Sequence, residues 1–263
     1  MEKKVFIKGK KFNIPAIIAY PEIGNKFPAV ILCHGTGANK NEVGNMYVIL
    51  ANELLKEGIT SIRMDYAGCG ESEAKPQDLT FFGEVDDTLK VYEYLQECNF
   101  VDKEKIGILG LSQGVRIWAE LVKKVPEIKF GVSWSGACQM NEGIFENWYQ
   151  GYYEEAVKNG YAAIQMTWGD ELILSKEWFD DIKKSTPLDG LKGYKGPVLA
   201  VAGVDDDMIP CEHTVEIIKA CGNPLSRAVF YPKANHIFNI LAEDKTAIYD
   251  VIRETIEWIK MII

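Results

Sequence analysis

Short apolar runs alternate with amphipathic helical stretches along most of this chain, and no other feature constrains its fold as strongly. Residues 27–33, 60–65, 106–109, 130–134, 198–202 and 228–231 read as strands, and residues 44–57, 81–98, 114–124, 212–221 and 245–262 as helices. Near-continuous Val/Ile/Leu runs are buried on both faces, and a repeated strand–helix rhythm gives a parallel sheet covered by helices. The first twenty residues differ, because 3–8 and 12–20 look like an antiparallel pair turning at Gly9-Lys10. From about Gln139 to about Leu191 no buried strand is expected. That stretch is aromatic-rich and mostly polar, and it is too long for a plain loop, so it reads as an inserted helical or hairpin cap. The expected organisation is an α/β core of residues 1–138 and 192–263 with a cap at 139–191. At 263 residues one core suffices.

The run Gly107-Ile-Leu-Gly-Leu-Ser-Gln-Gly-Val115 places Gly-x-Ser-x-Gly between a strand-like and a helix-like segment. The pattern alone arises by chance in roughly one chain in ten of this length. Its surroundings decide its meaning. A serine becomes a nucleophile when an imidazole takes its proton and a carboxylate fixes the imidazole. In an open α/β sheet these groups sit at the carboxyl ends of strands, in the chain order Ser, acid, His. After Ser112, one strand runs into Val204-Asp-Asp-Asp-Met-Ile-Pro210 and the next into Pro232-Lys-Ala-Asn-His236. Of the three histidines, His34 precedes the serine and His213 lies in the expected first turn of a helix, pointing away; His236 is the candidate base. Asp205, Asp206 and Asp207 compete for the acid, since three adjacent carboxylates would repel one another if all were buried. Asp206 is chosen by its offset from Gly203 and Pro210, with Asp65 as the alternative, although its loop through Ser72 reads as a structural turn. Backbone N–H groups must also receive a developing oxyanion. The glycine-rich His34-Gly-Thr-Gly37 segment offers Thr36, and the residue after the serine offers Gln113.

A net charge of −9 disfavours nucleic acid, whose binding relies on clustered Lys and Arg, and repels anionic substrates at long range. Six cysteines show no paired spacing that would hold a metal or a redox dithiol, and no cofactor is expected. No apolar run reaches membrane-span length and the first residues lack a signal-like apolar stretch, so the expected location is the cytoplasm. The expected partner is a small-molecule ester, with neither nucleic acid nor membrane; a homodimer stays open.

On the segments His34–Glu42, Ser61–Ser72, Asp102–Gly114, Gly203–Pro210 and Asn235–Phe238, the chain resembles the α/β-hydrolase superfamily, and within it the bacterial cinnamoyl (feruloyl) esterases and close acyl esterases. The resemblance implies an α/β-hydrolase fold, a mostly parallel sheet flanked by helices with an inserted cap. It also implies a Ser112–His236–Asp206 triad, a Thr36/Gln113 oxyanion hole and a cap forming part of the pocket. Thr36, Cys69 and Val115 stand where that family often has an aromatic residue, a histidine and a second glycine. Aromatic walls stack on planar acyl groups, which makes Trp148, Tyr152 and Trp168 candidate substrate contacts. Acyltransferase, thioesterase and peptidase chemistry use the same triad, and a hydrolase fold can also serve as a non-catalytic ligand receptor.

Overall fold

Successive side chains of a buried strand point to opposite faces, so each inner strand must satisfy two apolar layers at once. In a computed structural model, which describes residues 1–24, 26–140, 142–166 and 169–263, the chain meets this demand with one eight-stranded sheet. It opens with β1 (Glu2–Lys8) and β2 (Asn13–Ala19), an antiparallel pair. There follow β3 (Phe27–Cys33), α1 (Met46–Lys56), β4 (Thr60–Met64), α2 (Phe81–Glu97), β5 (Val101–Leu111), α3 (Gln113–Leu121) and β6 (Gly131–Trp134). Next come α4 (Gly143–Asn159), β7 (Tyr161–Gln165), β8 (Glu171–Ser175), α5 (Lys176–Lys184) and α6 (Pro187–Gly193). The chain ends with β9 (Val198–Gly203), α7 (Glu212–Ala220), β10 (Arg227–Tyr231) and α8 (Thr246–Ile262).

The strand order is β1-β2-β4-β3-β5-β6-β9-β10, antiparallel as far as the β2–β4 pair and parallel from β4 to β10. In β3, Ile31 and Cys33 join the layer with α2 and α3, while Val30 and Leu32 join the layer with α1 and α8. Each fully buried aliphatic side chain of this kind contributes roughly 1.5–3 kcal/mol relative to exposure. Parallel strands joined by covering helices all end at one rim, which gathers the loops after β3, β5, β9 and β10.

Between β6 and β9 the chain leaves the sheet. Of the two forms expected for this segment, helical or hairpin, it holds both: helices accompany β7 and β8, an antiparallel hairpin whose partly buried strands, with Ala162, Ile164 and Leu174 covered, carry no continuous apolar run. Only alternate positions are covered, so Tyr161, Ala163 and Gln165 dilute the apolar signal that marks the central strands. The helices of this segment pack through a layer of rings, with Phe145 stacked on Trp178 and both against Trp148. Among the described residues no helix is long and apolar enough to cross a membrane.

Candidate active site

Ser112 sits where β5 turns into α3, with φ 54° and ψ −117°, a region that a non-glycine residue enters only when its surroundings hold it there. Its N–H donates to Trp134 O and its carbonyl accepts from Ala137 N–H, which ties the turn to the end of β6. The flanking glycines are steric necessities. A Cβ on Gly110 would lie 2.3 Å from Gly114 C, and one on Gly114 would lie 2.1 Å from Cys33 O. Gly-x-Ser-x-Gly thus lets β3, β5 and α3 approach at backbone distance.

On the neighbouring strand ends, His236 Nδ1 lies 2.8 Å from Asp206 Oδ2, and both side chains are almost wholly buried. The other carboxylate oxygen, Oδ1, accepts Met208 N–H and Ile209 N–H at 2.9 Å, which fixes the carboxylate plane. Asp205 and Asp207 are exposed. Asp65 is fully buried elsewhere: its oxygens receive Lys40 Nζ, Lys40 N–H and Glu71 N–H, the structural turn expected for that loop.

The two other histidines serve packing. His34 Nδ1 meets Gly35 O at 2.8 Å and its Nε2 receives Tyr66 N–H, while burial pushes its pKa down to about 4, so it is neutral. His213 stands in the first turn of α7, buried, with Nδ1 accepting Cys138 N–H.

Thr36 N–H and Gln113 N–H, the two candidate oxyanion donors, have no backbone acceptor among the described residues. The first turn of α3 also presents its partial positive charge at this point. The Gln113 side chain is a buried hub: Nε2 donates to Glu84 Oε2 at 2.6 Å, and Oε1 accepts from Thr36 Oγ1 at 3.0 Å and Trp178 Nε1 at 3.1 Å. Burial, with Asp87 beside it, holds the Glu84 carboxyl well above the ordinary carboxylate range. Through Trp178 the ring layer of the 139–191 segment begins directly behind the elbow. Trp148 is buried in that layer and Tyr152 is half-buried against it; Trp168 lies outside the described residues.

Sequence reasoning passed over Glu42, Glu84 and the role of Trp178. Glu42 is buried, and its Oε1 accepts Gly35 N–H at 2.6 Å beside the Ser112 turn. A glutamate in a polar loop carries no periodic signal; only its position seven residues after a glycine at a strand end hinted at a closed loop. Among the described residues no group of three or more His, Cys, Asp or Glu side chains is placed to hold a metal ion.

The model of the prolyl oligopeptidase family matches residues 82–263, a span that includes the elbow, Asp206 and His236. An uncharacterized 31.7 kDa Escherichia coli protein from the traX-finO intergenic region is 31% identical over 94 residues, 36% of this chain and 32% of that protein. The match thus spans about a third of the length of the curated relatives it first finds. Among solved structures, Est1E from Butyrivibrio proteoclasticus with ferulic acid bound superposes with a TM-score of 0.77 at 21% identity, covering 96% of this chain and 98% of that one. The α/β hydrolase GrgF from a Penicillium species gives 0.82 at 12% identity, covering 100% and 99%. At these identities what is shared is the fold.

Proposed function

Since the chain belongs to the prolyl oligopeptidase family, within the α/β-hydrolase superfamily, we propose that it cleaves carboxylic esters through an acyl-enzyme on Ser112. The observation that carries this reading is the Asp206–His236 hydrogen bond at the same rim as a serine on a left-handed strand-to-helix turn.

In the proposed cycle His236 Nε2 takes the Ser112 Oγ proton as the Oγ–carbon bond forms. The carbonyl oxygen, now anionic, accepts hydrogen bonds from Thr36 and Gln113 N–H, whose orientation is set before the reaction. Collapse breaks the carbon–oxygen bond to the alcohol, which leaves with the proton from His236; water then repeats the sequence and releases the acid. Asp206 keeps the proton on Nδ1 and stabilises the imidazolium. The resting structure makes the Asp206–His236 half of this relay. No hydrogen bond joins Ser112 Oγ to His236 Nε2 among the described residues; in the proposed cycle this contact forms when substrate arrives, since catalytic hydrogen bonds are often unmade in unliganded sites.

Residues 139–191 act in this reading as a cap over a planar or short acyl group, with Trp148 and Tyr152 as candidate contacts among the described residues. Support comes from the link between Trp178 and Gln113, and from the ferulic acid bound to Est1E. Peptide cleavage is the second reading, favoured by the description of the matching family. One panel separates them: p-nitrophenyl acetate and butyrate, methyl ferulate, caffeate and p-coumarate, and a glycyl-prolyl p-nitroanilide, each with Ser112→Ala as the blank. The ester reading requires Ser112-dependent turnover of esters with the anilide at least ten-fold slower in kcat/KM. A faster anilide makes the protein a peptidase, and turnover that survives Ser112→Ala removes the serine-hydrolase reading altogether.

A further inference from the structure

Glu42 stands in a backbone conformation that glutamate does not choose. Its φ of 59° and ψ of 170° fall in a region populated almost only by glycine, at a cost of about 1–3 kcal/mol for any other residue. Strain of that kind persists when other contacts fix it, and here they are specific. Glu42 Oε1 accepts Gly35 N–H at 2.6 Å, Oε2 accepts Val43 N–H at 2.9 Å, and the Glu42 N–H donates to Asn39 O. The carboxylate therefore folds back across seven residues and closes the loop that follows β3. Gly35 is held at its other end too, because its carbonyl meets His34 Nδ1 and accepts Ala38 N–H. With both ends of Gly35 fixed, the next N–H along the chain, that of Thr36, is left without a backbone acceptor. The space is tight. A Cβ on Gly35 would lie 3.3 Å from Glu42 Oε1 on one side and 3.6 Å from Ser112 Cβ on the other.

We infer that Glu42 is a positioning residue: its buried carboxylate sets the Gly35–Thr36 peptide so that Thr36 N–H serves the Ser112 oxyanion. The inference rests on the serine-hydrolase reading and deepens it. Burial raises the Glu42 carboxyl, while the two N–H donors and the nearby His236 pull it back toward the charged form.

The test is the rate at which a fluorophosphonate labels Ser112, followed by mass spectrometry. In that reaction Ser112 Oγ bonds to phosphorus, His236 takes the hydroxyl proton, fluoride leaves, and the phosphoryl oxygen occupies the oxyanion position. Glu42→Gln, Glu42→Gly and wild type are compared at one neutral pH, with thermal unfolding of each. Loss of one oxyanion donor costs about 10²–10³ in rate, so Glu42→Gly, which removes the strain together with the carboxylate, should label about 10²-fold more slowly. Glu42→Gln, which keeps one acceptor oxygen, should label about ten-fold more slowly, between Glu42→Gly and wild type. A merely structural glutamate would slow labelling only as the folded fraction falls, with no graded difference between the folded Gln and Gly variants. Folded variants that label at the wild-type rate overturn the inference and leave the hydrolase reading intact. Wild-type protein that is not labelled at Ser112 overturns both.

Discussion

Asp206 uses both carboxylate oxygens, one on two backbone N–H groups and one on His236, whereas Asp205 and Asp207 face solvent. Asp206→Asn presents an amide in place of the acceptor and stabilises the wrong imidazole tautomer, so kcat on a p-nitrophenyl ester should fall by up to about 10⁴-fold. Asp205→Asn and Asp207→Asn should each change it less than about three-fold, the small effect of an exposed substitution. A large loss at either of these with Asp206→Asn near wild type would move the acid by one residue. His34 gives a prediction about stability. Its folded pKa of about 4 lies below the ordinary 6.5, so between those values the unfolded chain binds a proton that the folded chain refuses. Stability from this group is complete above about pH 6.5, falls as pH drops toward 4 by up to roughly 3 kcal/mol, and then levels off. Urea unfolding across that range should show a shallower fall for His34→Gln than for wild type; parallel curves would mean that His34 is not held neutral. That Ser112, Asp206 and His236 each follow a strand, β5, β9 and β10, could be read from chain order. Glu42 and Glu84 could not, since their roles depend on a loop closing over seven residues and on a helix brought against the elbow from 29 positions away.

Gly114 shows how a motif and an element depend on each other. Its α-carbon passes so near Cys33 O that a methyl group there must push α3 away from β3. Gly114→Ala should lower the melting temperature by about 6–12 °C, the shift for roughly 3 kcal/mol in a chain of this size, as read by circular dichroism. A shift under about 2 °C would mean that the contact relaxes freely. The inner strands and the helices that cover them were legible to within a few residues, because burial on both faces leaves an unbroken apolar run. Strand β5 begins at Val101, before the apolar run from Ile106, since its first half is only partly covered. The segment that holds β7 and β8 could be read only as a helical or hairpin cap, without strand bounds, for the same reason: both strands are only partly covered.

Across the whole molecule, the order of elements prescribed the architecture, a mostly parallel sheet between two helical layers with its loops gathered at one rim. What order cannot convey is distance across that rim, and the contacts of Gln113 with Glu84, Thr36 and Trp178 join four separate stretches of chain. The central claim, covalent catalysis by Ser112, predicts an acyl group on one peptide. Wild-type protein mixed with p-nitrophenyl butyrate, quenched in acid within its first turnovers and digested, should carry a butyryl group on the peptide containing Ser112. The adduct should be missing from Ser112→Ala, and Ser112→Ala should hydrolyse the ester at least about 10³-fold more slowly than wild type. An adduct on another residue, or a Ser112→Ala protein that keeps wild-type turnover, would contradict the account.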